Sequence, residues 1–439
     1  MMYLMKNAGV MGRSVAVGAL GFLCSSGNAQ VCDLEELFDR HVQYGVGDEP
    51  IAIRVADFDG DRIRDLAVLN RRGGDLSILL GVGEGQFAPE SRYPVGNYPR
   101  EFEVGDMDLD GDLDLVVSMG SETDFKVMLN DGHGGFDVLH SYSLGYYQKE
   151  VALYDFDADG LLDIALATNE GVRVLINDAT DPFMSGFELL TELSVAEVEL
   201  GDIDVDGNID VLARIWQHND GCDFRVVRGL GGLTFAEPTC EPTTSGGNTH
   251  SLLLDLDEDS DLDLVFTKFS DDGVCTMKHR ELGDFVNEYH IPPSVSRPSG
   301  ITHADFNLDG YPDLAMSRYS GISATVFLGL SRGFFQTGGV YSVGWDSRSI
   351  DSGDLDRDGD IDLIVGNDDS DTISVLINLC DTVVCFADFS PDGQLDFFDV
   401  SIFLASYLAG SSIADFNNDG DLNFFDVTAF IAAFNAGCP

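Results

Sequence analysis

Short apolar runs recur along most of the chain, each bounded by acidic or glycine-rich turns. In the first full instance Leu66-Ala67-Val68-Leu69 follows Asp65, Arg71 to Gly74 reads as a turn, and Leu76 to Leu80 forms the next run. Gly81-Val82-Gly83-Glu84-Gly85-Gln86-Phe87 then turns into a further strand ending at Tyr93-Pro94-Val95-Gly96. Such short runs, punctuated by Gly and Asp, predict β-strands. The unit repeats about every fifty residues, room for four strands, so the pattern predicts a mainly β fold made of a ring of blades.

Each unit carries Asp-x-Asp-x-Asp-Gly-x-x-Asp before its second apolar run. The copies begin at Asp57, Asp106, Asp155, Asp202, Asp255, Asp305 and Asp354, at intervals of 49, 49, 47, 53, 50 and 49 residues. Their oxygen-bearing positions are Asp57, Asp59, Asp61 and Asp65; Asp106, Asp108, Asp110 and Asp114; Asp155, Asp157, Asp159 and Asp163; Asp202, Asp204, Asp206 and Asp210; Asp255, Asp257, Asp259 and Asp263; Asp305, Asn307, Asp309 and Asp313; and Asp354, Asp356, Asp358 and Asp362. Four carboxylates in one tight loop repel strongly unless a cation lies among them. Ca²⁺ takes six to eight oxygens, and positions 1, 3, 5 and 9 of such a loop converge on one ion, with a backbone carbonyl near position 7. Gly at position 6 permits the sharp turn. Arg62 and Ser260 replace that Gly in the first and fifth loops, so altered turn geometry and weaker affinity are expected there.

These loops and strands resemble the FG-GAP and VCBS repeats of integrin α-subunit propellers, over roughly residues 41–379. The resemblance implies a calcium-loaded β-propeller. A Tyr-x-Val/Leu-Gly string places its Gly ten residues before the first Asp at Gly96, Gly145 and Gly344, and Tyr44-Gly45-Val46-Gly47 does the same before Asp57. That N-terminal string reads as an outer strand without a blade of its own. The seventh repeat ends near Asn378, one strand short. Pairing the two closes the ring, removes exposed edges and predicts seven blades.

Residues 385–439 hold a different duplication with a period of 27. Two twelve-residue loops place oxygens at positions 1, 3, 5, 9 and 12: Asp388, Ser390, Asp392, Asp396 and Asp399, then Asp415, Asn417, Asp419, Asn423 and Asp426. Each has Gly at position 6, as an EF-type calcium loop requires. Apolar stretches of helical length follow, Val400 to Leu408 and Val427 to Phe434. The pair resembles type I dockerins, in the variant with repeated Phe-Phe-Asp-Val and a terminal Gly-Cys. That resemblance implies two further Ca²⁺ ions beside up to seven in the propeller, and a cohesin-like or surface-anchoring partner. Phe397-Phe398 and Phe424-Phe425 occupy the positions that help choose a cohesin, which argues against a cellulosomal one; they also suit the core of a self-contained calcium-stapled cap.

The chain has 439 residues and a formal net charge of -53. Such acidity repels nucleic acid and anionic lipid surfaces. Lys6 and Arg13, the apolar stretch Val15 to Leu23 and Gly27-Asn28-Ala29 read as a cleavable export signal, and no segment is long enough to span a membrane. Export to an oxidising compartment makes disulfides the expectation for the cysteines. Cys222–Cys240, Cys385–Cys438 and Cys32–Cys380 are the plausible pairs, with Cys275 left free. The expected division is an export signal over 1–29, a lead segment over 30–40, a seven-bladed propeller over 41–379 and a dockerin-like, α-helical calcium domain over 380–439.

The acidic loops join first strands to second strands, so they share one face. The opposite face takes the aromatic residues Trp216, Trp345, Tyr98, Tyr146 and Tyr147. It also takes Arg100, Lys149 and Arg348, each six residues before its first Asp. Aromatic rings beside charged donors suit a carbohydrate or protein ligand, an anionic polysaccharide among them. Enzyme signals are weak. Gly329-Leu330-Ser331-Arg332-Gly333 matches a nucleophile-elbow pattern but occupies a strand-to-strand turn. No histidine pair has metal-ligand spacing, and His303 falls where a core or channel-lining role is expected. The sequence thus points to a secreted or cell-surface binding module rather than an enzyme, with a lyase-like polysaccharide-active enzyme as the alternative.

Overall fold

The computed structural model describes residues 37–39, 41–136, 138–178, 182–183, 185–216, 221–241, 248–268, 273–278, 285–291, 297–330 and 333–380, together with 389, 397–409, 411, 414, 416 and 422–436. Residues 1–29, read above as an export signal, Cys32, Cys385, Cys438 and the loop residues Asp388, Ser390, Asp392, Asp396, Asp415, Asn417 and Asp419 lie outside the described residues.

Seven four-stranded antiparallel sheets and one two-stranded hairpin, Gly81–Gly83 with Gln86–Phe87, account for the strands described. The first sheet runs Pro50–Ala56, Asp65–Asn70, Asp75–Leu79, Ser91–Pro94, in chain order from one edge to the other. The remaining sheets open on Pro99–Gly105, Gln148–Tyr154, Val195–Gly201, Asn248–Leu254, Pro298–Ala304 and Ser347–Gly353. These opening strands neighbour one another in a closed cycle, the last against the first. The arrangement is a β-propeller, with the opening strands around a central channel.

The second strand of each sheet is a continuous apolar run because both its faces are covered by neighbouring sheets. Asp65–Asn70, Asp114–Met119 and Asp163–Thr168 are buried at every position. Phe58, Ala67, Leu69, Phe102, Leu115 and Val117 fill the space between the first two sheets. Each large side chain removed from water there contributes roughly 1.5–3 kcal/mol.

The seventh sheet is completed from the far end of the chain. Val42–Gly45 pairs antiparallel with Thr372–Leu376, with Val42 opposite Val375 and Tyr44 opposite Ile373. Tyr44 also meets the Phe87 ring edge-on at 5.5 Å, and Ile53, Leu66, Val68, Ile364, Ile373 and Val375 form one core. The N-terminal string therefore supplies the missing outer strand, as its sequence spacing suggests. Phe38 bridges Asn378 just beyond it.

Cys222 and Cys240 are disulfide-bonded with their Cα atoms 5.5 Å apart, clipping the outer strands of the fourth sheet. Cys380 is also disulfide-bonded. Ser331 and Arg332 lie outside the described residues; the strands on either side, Ser323–Leu330 and Phe334–Ser342, pair antiparallel, so no helix follows the first as a nucleophile elbow requires. In the C-terminal segment α1 (Phe397–Ala409) and α2 (Phe424–Ala436) cover the two stretches read as helical. Phe403 and Phe430, one from each helix, stack with centroids 4.0 Å apart, among Phe389, Ala414, Phe416 and Phe434. Phe397 and Phe424 are instead 78% and 70% exposed, which removes these two rings from the domain's own core.

Deleting residues 30–47 should leave Thr372–Leu376 as an unpaired edge. The expected result is a lower melting temperature and concentration-dependent aggregation by size-exclusion chromatography. A monomeric truncation of unchanged stability would contradict the closure.

Candidate functional site: acidic loops at one end of the channel, a cationic mouth at the other

Each opening strand ends in an acidic loop, and the seven loops share one backbone conformation. Position 4 is left-handed in every copy: Gly60, Leu109, Ala158, Val205, Glu258, Leu308 and Arg357 have φ between 58° and 77°. Position 6 is left-handed as well, from Gly111 at φ 100° to Ser260 at 77° and Arg62 at 71°. The altered turn expected at Arg62 and Ser260 is therefore absent. Both residues take the glycine conformation, at a steric cost of about 1 kcal/mol each.

The conformation is held by the first and last aspartates. Asp57 accepts N–H bonds from Gly60 and Arg62, and Asp305 from Asp309 and Gly310. The position-9 carboxylates do more. Asp65 accepts from Phe58 N at 2.7 Å with one oxygen and from Gly81 N at 2.7 Å with the other. Asp114, Asp163, Asp210, Asp313 and Asp362 repeat this double bond, tying loop to third strand. They are buried, and burial pushes their pKa values up against those hydrogen bonds: to about 7 for Asp65, Asp114 and Asp313, about 6 for Asp163 and Asp210, and about 8 for Asp362.

Ligand atoms of Asp57, Asp59 and Asp61 lie within 4.8 Å of one another, as do those of Asp106, Asp108 and Asp114, and of Asp155, Asp157 and Asp163. The groups Asp202, Asp204, Asp206 and Asp255, Asp257, Asp259 are equally close. Buried Asp106 Oδ1 and Asp204 Oδ1 have no hydrogen-bond partner, nor has either oxygen of Asp360. An all-oxygen cluster with orphaned buried carboxylate oxygens fits a hard divalent cation. Asp360, at position 7 of the seventh loop, offers a further buried carboxylate that the 1-3-5-9 pattern does not include; burial and its neighbour Asp358 push its carboxyl well above the usual range. Its signal was the extra acid at position 7, shared with Asp112 and Asp261. In the C-terminal segment Asp399 and Asp426 are fully buried at the start of their helices, and Asp426 accepts from Asn423 N.

The other end of each opening strand is about 20 Å away and begins with a break in register. Pairing shifts between Pro50 and Ala52, Pro99 and Glu101, Gln148 and Glu150, Val195 and Glu197, Asn248 and Ser251, Pro298 and Ile301, and Ser347 and Ser349. Such a bulge leaves its extra residue unpaired and re-aims its side chain. Arg100, Lys149 and Arg348 are three of these extra residues. They line a cavity of about 610 Å³ together with Arg71, Arg214, Trp216, His250 and Tyr319.

Of the eight residues read as a ligand face, Arg100, Lys149, Trp216 and Arg348 meet at this cavity, whereas Tyr98, Tyr146, Tyr147 and Trp345 do not line it. Lys149 Nζ sits 5.5 Å from the Trp216 ring centroid and Arg348 Cζ 4.7 Å from that of Tyr319. Trp216 is 58% exposed. Burial, with Arg100 and Arg214 nearby, pulls the Lys149 amine down to about 8. Deeper in the channel, Arg54 bonds Glu103 at 2.6 Å and Arg214 bonds Glu197 at 2.9 Å. His303 lines the cavity, its pKa lowered to about 4 by burial, so it is channel-lining as expected. Arg71, Arg214, Tyr319 and the glutamates escaped sequence reading because they lie on strands and turns whose register only the fold defines.

The fold is that of a β-propeller, and the comparisons agree. An FG-GAP-like repeat profile matches residues 57–117, 155–213 and 305–365. The fold is similar to BBS1N as crystallised in complex with ARL6DN and soaked with mercury (TM-score 0.55, 12% identity, 78% of this chain and 98% of that chain). It is also similar to an Agrocybe aegerita lectin described as specifically recognising non-reducing terminal N-acetylglucosamine (TM-score 0.51, 15% identity, 71% of this chain and 91% of that one). No curated protein matches the chain. Among the described residues no helix is long and apolar enough to cross a membrane.

Arg62→Gly and Ser260→Gly should each raise stability by about 1 kcal/mol, read as a higher denaturation midpoint, because glycine relieves the left-handed strain. The buried carboxylates set a pH dependence for the protein without divalent cations. Their folded pKa values exceed the unfolded value, so the folded state binds more protons between about pH 4 and pH 8, and stability falls as pH rises through that window. The melting temperature in chelator should therefore drop from pH 5 to pH 8, and added Ca²⁺ should reverse the trend at pH 8.

Proposed function

We propose that the protein is an exported, calcium-stabilised seven-bladed β-propeller that binds a carbohydrate or protein ligand at the channel mouth, and that it is attached through a dockerin-like C-terminal domain. The observation that carries this reading is the separation of two chemistries along one set of strands. The acidic loops take cations at one end, while bulged side chains and an exposed Trp216 ring sit at the other, at the mouth of a cavity that runs along the channel as far as Asp305 and Ile361. About 610 Å³ lies within the range of small-ligand sites. Propellers of similar fold include one crystallised with a protein partner and one that recognises a sugar. A disulfide in the fourth sheet accords with an oxidising compartment. Each calcium ion would sit among side chains already poised in their loop, and would offset the repulsion that burial intensifies.

A catalytic role is the second reading. What favours it is the presence of Glu101, Glu150 and Glu197 below the cationic mouth, a source of base that the sequence alone did not suggest. Glu197 is engaged by Arg214 and Ser251, and Glu101 by Arg54, which suits a structural role for these two. We therefore place binding first.

In excess EGTA the melting temperature should fall substantially, since all loops lose their counter-ions together; an unchanged value would refute calcium stabilisation. On an oligosaccharide array Trp216→Ala should lose binding while calcium content and melting temperature stay nearly constant. Formation of unsaturated products from any bound polysaccharide would instead favour the lyase.

A further inference from the structure

We propose that the channel mouth recognises the acidic group of a saccharide, a uronate carboxylate or a sulfate ester, through Arg100 and Lys149. The inference deepens the ligand reading above and rests on it.

Partner accounting at the mouth is uneven. Arg348 bonds Asp346 at 3.3 Å and Asp368 at 3.0 Å. Arg71 pairs with Glu49, and Arg214 with Glu197 at 2.9 Å. The Arg100 guanidinium has no ion pair or hydrogen bond with any described residue, and among the described residues the Lys149 ammonium hydrogen-bonds only to Ser194 Oγ, at 2.8 Å. Glu101 and Glu150 attract Arg100 without contacting it, while Arg71 and Arg214 repel it. The chain carries 77 acidic residues against 24 Lys and Arg. Two cations with no carboxylate partner among the described residues of such a protein, at one cavity and both on bulges, are a built feature rather than leftover charge.

The geometry selects the class of anion. Arg100 and Lys149 are at equivalent positions of the second and third opening strands, so their charges converge from adjacent blades. Lys149 reaches across to the ring of Trp216, which follows the fourth sheet's second strand and stays exposed. An apolar ring face beside two cations matches a pyranose, which offers a C–H face for stacking and an acid group at its rim. An acidic peptide has the charge without that rigid face. A nucleic acid duplex is too wide for the cavity and meets the repulsion of the whole acidic surface.

The test uses calcium-loaded, full-length protein and a panel of neutral, uronate-bearing and sulfated oligosaccharides, followed by calorimetry. Binding confined to acidic members, weakened by salt and reduced about ten-fold by Arg100→Gln or Lys149→Gln, is the expected result. Trp216→Ala should weaken those ligands while preserving the preference for acid over its methyl ester. If neutral and acidic members bind alike, or the Arg100→Gln/Lys149→Gln double variant binds acids unchanged, the anion assignment falls and carbohydrate binding stands. If polyglutamate binds as well as the best saccharide, with the same dependence on Arg100, the saccharide assignment is overturned. If no panel member binds at millimolar concentration, both readings fail as regards carbohydrate. Thermal melts of each variant confirm that it is folded.

Discussion

The last aspartate of each acidic loop is the group on which the architecture depends. In six of the seven loops one oxygen fixes the loop at its second residue and the other fixes the end of the third strand, so a single buried carboxylate welds two turns of a blade; Asp263 of the fifth loop accepts from Leu256 N in the same way. Neighbouring blades join the same junction. Asn130 in the second sheet reaches Phe58 O of the first, Asn177 reaches Met107 O, and Asn378 reaches Phe306 O, at 2.8–2.9 Å. A carboxylate in that position is costly as an isolated buried charge. Its use in all seven repeats makes sense if a cation completes the set, because the same ion would then neutralise the weld and order the loop.

The two ends of the channel differ because the chain does different things there. At the loop end the backbone is nearly invariant from repeat to repeat, and the buried second position stays apolar while varying among Phe58, Met107, Ile203 and Leu256. At the mouth the bulge is invariant but its side chain is free to change: Ile51, Arg100, Lys149, Ala196 and Arg348 all occupy it. One end is committed to holding the ring together, and the other can diversify without disturbing strand pairing.

Much of the fold was legible because the acidic repeat is local. A nine-residue string needs no tertiary information to be found, and its spacing set the number of units and exposed the orphan strand at Tyr44. The fourth-sheet disulfide was legible for the same reason, since Cys222 and Cys240 flank one hairpin. The ligand end was only half legible. Arg100, Lys149 and Arg348 could be aligned by counting back from the loops. Trp345 and the tyrosines share that face in sequence terms but lie off the cavity, because a link's direction depends on how its turn folds. Arg62 and Ser260 misled in the opposite sense: the loop's hydrogen bonds impose a left-handed residue whatever its side chain, overriding local preference.

The pairing of Val42–Gly45 with Thr372–Leu376 also fixes an order of events. A strand made near the beginning waits for a partner made after every other sheet, and the entropy of bringing such distant segments together is set against contacts that form only at the end. Until then the incomplete ring carries open strand edges, the surfaces most prone to association with other chains. Ring closure is thus the slow step to expect in maturation, and conditions that order the acidic loops early would shorten the interval during which the unfinished molecule is vulnerable.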